Sequence, residues 1–539
     1  MKNAWAAVLA LVPTGLAVAQ TESAAPQYGE EYRPQYHFSP PQQWMNDPNG
    51  LVYFQGTYHL FYQYHPYGNT WGPMHWGHAI SKDMVYWENL PIALFPDING
   101  AIFSGSAVVD WKNTSGFGVD ATPPLVAVFT YHDHLAQNLG RVDFQTQGIA
   151  YSLDGGRSWA KYGGNPVLQN PGNRDFRDPK VFWYARQAKW IMTLAVSDHV
   201  SFYSSKDLKT WTHESDFGRE WGAHGGVWEC PDLIEMQIDG KDARKFVLLV
   251  STNPGGPNGG SATQYFLGDF DGVRFSLDPD LQRKLKAAPA ERPDLGAALW
   301  LDYGTDDYAG STWSDVRAED GRVLFIGWMN NWEYASKVPT QRWRGAMTIP
   351  RELKLVRTAR GLELHSTPAA ELQTLRTKDW PIRRRRIRQE TDLTGSAGTK
   401  SGLFEVQLSL KLGSAQIAAL SLRNANRAAT VFRINRPAGR YELDRSASGA
   451  VKFSPPFARL QTAPLVGTGN NISLRVFVDR SSVEVFVNGG ETVFTAIVFP
   501  ETPYDSVVLS ADREVELQSG AIDGLRSIWN ETTLSQRGH

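Results

Sequence analysis

Three acidic residues, Asp47, Asp178 and Glu229, stand at matching places in a repetitive chain. Each comes one or two residues before a proline, in Asp47-Pro48, Asp178-Pro179 and Glu229-Cys230-Pro231, and each leads into an apolar stretch, a turn and a second such stretch. Taken singly they have plainer readings: a turn cap, a structural ion pair, an exposed glutamate. Brought together they can protonate a leaving oxygen and attack or stabilise an electron-poor carbon. That is the chemistry that opens a glycosidic bond, for which two carboxyls about 5 Å apart suffice when the reaction passes through a covalent intermediate. A third acid beside a cation, as in Arg177-Asp178, suits hydrogen bonds to sugar hydroxyls that tighten as positive charge develops. Arg177 is expected to keep Asp178 ionised and aligned. Trp44, Asn46, Gln63, Trp71, Phe103, Ser104 and Trp332 supply the stacking faces and hydrogen-bonding groups that a small sugar needs.

The three acids converge only if the repeat itself brings them together. Three segments share a short strand, then Ser-x-Asp, then a Trp opening the next strand, ending at Trp87, Trp159 and Trp211. The Ser and Asp suit a tight turn and the Trp suits packing between layers, so this motif is structural punctuation. In a second register, hairpin units open at Asp47, Phe103-Ser104, Asp178, Glu229 and Asp306-Asp307-Tyr308. Five openings predict an all-β fold with a five-bladed β-propeller over residues 30–372, whose first strands line a central channel. A basic linker, residues 373–388 with Arg383 to Arg386, then leads to a β-sandwich over residues 389–539, where Asn488-Gly489 marks a hairpin.

Composition narrows the partners. Lys and Arg number 54 against 56 Asp and Glu, a net charge of −2, which gives no electrostatic reason for nucleic acid or an anionic membrane; a neutral substrate fits. The arginine run reads as solvated or ion-paired. Residues 1–19 carry the charge, apolar stretch and Ala17-Val18-Ala19 ending of a secretory signal, so the mature protein is expected outside the cell. Cys230 is the one cysteine, which excludes an intrachain disulfide and reads as a small packing group beside Glu229. His75 with His78, and His132 with His134, lack a completing carboxylate motif and read as structural strand histidines. No metal or organic cofactor is implied.

Several long motifs then point one way: W-M-N-D-P-N-G from Trp44, F-S-G-S from Phe103, F-R-D-P-K-V from Phe176, W-E-C-P-D from Trp228 and D-R-S-S-V-E-V-F from Asp479. Together they resemble glycoside hydrolase family 32, the invertases, inulinases and levanases, from about Tyr32 to the end of the sandwich. The resemblance implies Asp47 as nucleophile, Asp178 as transition-state stabiliser and Glu229 as acid/base, acting on terminal fructose of levan, inulin or sucrose. It leaves transfer of the fructosyl group to another sugar open as an alternative to hydrolysis. A sugar-binding protein without catalysis is the third reading, disfavoured by the presence of all three acids. One departure is Asp307, where the family run has Phe; it is expected as an added charge near the site rim.

Overall fold

The computed structural model describes residues 28–120, 122–287, 298–317, 319–395, 397–466 and 470–529. The expected secretory signal lies outside them. Between residues 43 and 368 the strands form five separate, largely antiparallel sheets taken in chain order. Their first strands are Gln43–Phe54 (sheet I), Ala101–Val109 (II), Phe176–Tyr184 (III), Val227–Gln237 (IV) and Tyr308–Thr312 (V). The hairpin turn of sheet I shows how sequence sets register. Gln55 and Gly56 both take positive φ, 47° and 79°, as a type I′ turn requires, which pairs Phe54 with Thr57.

The Ser-x-Asp motifs brace later turns, as their sequence suggested. Asp83 Oδ1 accepts from the backbone N–H of Val85 and Tyr86 at 3.0 and 2.9 Å. Asp207 Oδ1 does the same for Lys209 and Thr210 at 2.9 and 2.8 Å.

Alternation along each strand sends successive side chains to opposite faces, so a strand buried on both faces is continuously apolar. In sheet IV, Val247 and Leu249 pack on Phe325 and Leu353 of sheet V, while Leu248 and Val250 pack toward Ile191 and Phe202 of sheet III. Val126 and Val128 of sheet II meet Val181 and Trp190 of sheet III, and Ala127 and Phe129 meet Phe61 and Trp76 of sheet I. Leu324 and Ile326 of sheet V pack against Leu51 and Leu60 of sheet I. Each sheet thus shares an apolar cluster with the next, and the last shares one with the first.

The remaining strands form a seven-stranded and a six-stranded sheet around one apolar cluster. The segment expected as a linker belongs to this body. Arg376–Ile382 and Arg385–Ile387 are strands paired with Val515–Leu525, so their backbone is held in a ladder. Arg386 in the second of these strands and Arg388 just after it pair with Glu514, at 3.4 and 2.5 Å. The segment that leads into sheet V meets the sandwich backbone to backbone. Tyr303 N–H donates to Val493 O at 2.8 Å, and a Cβ on Gly304 would lie 2.1 Å from the Thr495 nitrogen, so only glycine permits the approach. The D-R-S-S-V-E-V-F segment is a staple for the N-terminal end: Asp479 accepts from Gln35 N–H at 2.9 Å, and His37 bridges Asp479 and Glu484 at 2.8 Å each. No helix among the described residues is long and apolar enough to cross a membrane.

Candidate active site

One local irregularity recurs in all five sheets. Pairing of the first strand with the second skips between Met45 and Pro48, Ile102 and Gly105, Arg177 and Lys180, Glu229 and Asp232, and Tyr308 and Ser311. A bulge bends its strand and re-aims the side chains within and beside it. Asp47, Ser104, Asp178 and Cys230 fall inside these skips, and Glu229 and Tyr308 at their edges. Pro48, Pro179 and Pro231 sit at the same places, where a missing N–H is tolerated. Asp178 and Cys230 take left-handed backbone, φ 64° and 47°, a strained conformation for residues with a Cβ.

The bulges gather the three acids around one cavity of about 320 Å³. Asn46, Asp47, Gln63, Trp71, Phe103, Ser104, Arg177, Asp178, Glu229 and Trp332 all line it. Both oxygens of Asp47 are occupied: Asn46 Nδ2 donates to Oδ1 at 2.9 Å and Ser104 Oγ to Oδ2 at 2.8 Å. Asp178 Oδ2 accepts from Cys230 N–H at 3.0 Å. The Cys230 thiol stands between two acids, with Sγ 3.8 Å from Asp47 Oδ2 and 3.7 Å from Asp178 Oδ2. Arg177 departs from expectation. Its guanidinium hydrogen-bonds Glu229 Oε1, at 3.2 Å from Nε and 2.9 Å from the second terminal nitrogen, and Asp175 at 2.6 Å, not Asp178. The skip between Arg177 and Lys180 brings the Arg177 and Asp178 side chains both to the cavity but toward different partners, which adjacency in sequence does not reveal. Tyr308 donates its hydroxyl to Glu229 Oε2. Trp44 is the other correction. It is fully buried behind the site, its Nε1 donating to Asn46 Oδ1 at 2.7 Å and its ring stacked on Trp332 at 5.9 Å. It sets Asn46 and Trp332 and does not face the cavity.

Burial first, and then the negative charge of Glu229, push the Asp47 carboxyl up to about 6. Burial pushes Asp178 up to about 7, opposed by Arg177 and reinforced by Glu229 and Asp47. Both carboxyls are raised, so the folded chain holds protons that the unfolded chain has released, and their contribution to stability is lost as pH rises from about 4 to 7. Asp178→Asn is therefore expected to stabilise the fold at pH 7.5 by on the order of 2 kcal/mol, a gain that vanishes as pH falls toward 4. Thermal or urea unfolding at both pH values checks this; equal stability of variant and parent at pH 7.5 would refute it.

The glycosyl hydrolases family 32 N-terminal domain matches residues 37–368, and the family's C-terminal domain matches residues 371–523. The chain belongs to glycosyl hydrolase family 32. Among its relatives, a levanase of Bacillus subtilis (strain 168) is 48% identical over 94% of this chain and 72% of its own length. The extracellular exo-inulinase inuE of Aspergillus niger is 40% identical over 93% of this chain and 96% of its own. The crystal structure of exo-inulinase from Aspergillus awamori superposes with a TM-score of 0.83 at 37% identity, covering 93% of this chain and all of that one.

Against the family run, Asp307 proves not to be a rim charge. It is buried between sheet V and the sandwich, bonded to Arg351 at 2.9 Å, and burial pushes its carboxyl up to about 8. Other residues of this family 32 site stand outside the expected set: His132, Gln145, Arg174, Asp175 and Asn253 also line the cavity. His132 stacks on Phe103 at 4.2 Å and its Nε2 lies 2.9 Å from Gln137 Oε1, so the histidine expected to be merely structural forms part of the wall. His78, by contrast, is buried against His59, at 3.1 Å, away from the site.

Proposed function

We propose that this chain is a secreted retaining β-fructosidase, which hydrolyses terminal β-D-fructofuranosyl residues of fructans and sucrose by double displacement. The observation that carries the reading is the meeting of three carboxyls, each with its own hydrogen-bonding support, in one small cavity. Asp47, aimed by Asn46 and Ser104, attacks C2 of the fructosyl unit while Glu229 passes its proton to the departing oxygen. The product of this step is a fructosyl ester on Asp47. Water then attacks the same carbon as Glu229 takes back a proton, freeing fructose and the Asp47 carboxylate. Asp178 binds sugar hydroxyls, a contact that strengthens as the ring carbon gains positive charge. Trp71, Phe103 and Trp332 offer apolar ring faces, and Gln63, Asn46, Ser104 and Arg177 the polar contacts.

We read sheets I to V as the blades of a five-bladed propeller. The apolar clusters shared between consecutive sheets, and between the last and the first, support that reading, as does the placement of one bulge per sheet at the cavity. The catalytic unit would then span residues 30–372, with the sandwich beginning near Arg376 rather than at 389. Export is supported by the pattern of residues 1–19 and by the extracellular relative.

The same intermediate would serve fructosyl transfer, since the outcome depends only on whether water or a second sugar reaches it. Product analysis on concentrated sucrose decides: free fructose and glucose in near-equal amounts are expected, and kestose as the dominant product would overturn hydrolysis. On levan, fructose as the first and only small product is expected; early oligosaccharides would overturn release from the chain end.

A further inference from the structure

The cavity is small, near the lower end of the range that encloses a drug-sized ligand, so a long fructan must leave it across the rim. On one side that rim is apolar and exposed. Trp71 lines the cavity, edge-on to Phe103 at 6.0 Å, and is itself 42% exposed. From the same loop Tyr67 projects, 75% exposed, edge-on to His75 at 5.6 Å, and His75 meets Phe95, 51% exposed, at 5.5 Å. Ile98 continues the surface on the neighbouring turn and is almost wholly exposed. Most of the exposed large apolar side chains among the described residues belong to these segments or to the adjoining stretch from Leu135 to Val142. Apart from Trp71, none of them lines the cavity of Asp47, Asp178 and Glu229.

The segments that carry these side chains are braced. His65 Nδ1 closes the loop onto Thr70 O at 2.8 Å. The turn that carries Ile98 is braced by Tyr131 and Lys161, both bonded to Asp97 Oδ2, at 2.9 and 2.6 Å. Side chains on braced segments bind at a lower ordering cost than those on a free loop. They are separated rather than fused into one flat patch, and Asp97, Asn99 and Lys161 lie among them. Apolar faces alternating with hydrogen-bonding groups match a chain of furanose rings, each with an apolar face and a hydroxylated edge.

We propose that Tyr67, Phe95 and Ile98 form an extended binding track for the fructan chain beyond the sugar units held in the cavity, entered across Trp71. The proposal rests on the fructosidase reading and adds the surface that separates polymer from disaccharide. Sucrose is too short to reach the track.

The test compares the Tyr67→Ser/Phe95→Ser variant with the parent on sucrose and on levan and inulin of high degree of polymerisation. KM for the polymers is expected to rise roughly tenfold with kcat within about twofold, while both constants on sucrose stay unchanged. An unchanged ratio of polymer to sucrose kcat/KM would overturn the track, whether both activities hold or both fall together. So would a variant that merely converts a dimer into a monomer with that ratio intact, which would assign the patch to a second copy of the chain. A parent inactive on sucrose and polymers alike would instead remove the fructosidase reading on which the track depends.

Discussion

Replacing Glu229 by Gln is expected to lower turnover of sucrose and levan by roughly 10³- to 10⁴-fold while leaving the fold intact. Gln keeps the shape and can still accept from Arg177, but it cannot deliver a proton to the leaving oxygen. The loss should therefore depend on the leaving group. A nitrophenyl β-fructoside departs without protonation, so its first step recovers, the fructosyl ester on Asp47 accumulates, and a burst of nitrophenol is followed by slow release. Azide, which needs no general base, should restore turnover of that substrate. Asp47→Asn should show neither burst nor rescue, because no ester can form. The Gln substitution also removes a negative charge that helps push Asp47 up to about 6. The acid limb of the azide-rescued reaction should consequently move to lower pH than the parent's. Full turnover by the Gln variant, or a loss independent of the leaving group, would sink the acid/base assignment.

The convergence of these acids was legible because each stands one or two residues before a proline at the start of a hairpin, and the bulges lie where those prolines are. Roles and partners were less legible. His132 and Asn253 end second strands and pair with Ala101 and Val227, the first residues of first strands. Counting each hairpin back from its turn would have placed them at the cavity. The acid-proline signal marks the opening strands alone and leaves their partners unmarked. Trp44 was misplaced because a bulge breaks strict alternation, so nearness to Asp47 in sequence said nothing of its direction. No local pattern pairs Asp307 with Arg351 or Asp306 with Arg445, since the partners are 44 and 139 positions apart, one on another strand of sheet V and one in the sandwich. The arginine-rich segment kept its ion pairs but lost its role as a linker, because a short strand on a sheet edge has too few residues for alternation to stand out.

Arg351→Met is expected to destabilise the protein by about 3–5 kcal/mol, a larger effect on stability than that of Asp178→Asn and opposite in sign. The Arg351 side chain is fully buried, and both terminal nitrogens of its fork are occupied. One terminal nitrogen binds Asp302 at 3.0 Å and Asp307 at 2.9 Å; the other binds Glu484 and Thr495 at 2.5 Å each. Glu484 belongs to the sandwich and also holds His37, whose ring the two flanking acids push up to about 9 against its burial. Met matches the volume but leaves Asp302, Asp307 and Glu484 facing one another with one cation fewer, and removing one partner of a buried cluster costs more than the cluster's net worth. Arg351→Lys keeps the charge without the fork and should lose less. Urea unfolding of both variants checks the order, and a Met variant within about 1 kcal/mol of the parent would refute it. Should the Met variant fail to accumulate, the Lys variant still tests the expected loss. The damage should reach catalysis before global unfolding. Asp307 adjoins Tyr308, whose hydroxyl holds Glu229, so the cluster that clamps sheet V to the sandwich positions the proposed acid through a single peptide unit. In the Lys variant, kcat on sucrose should therefore fall at temperatures where circular dichroism still reports a folded chain.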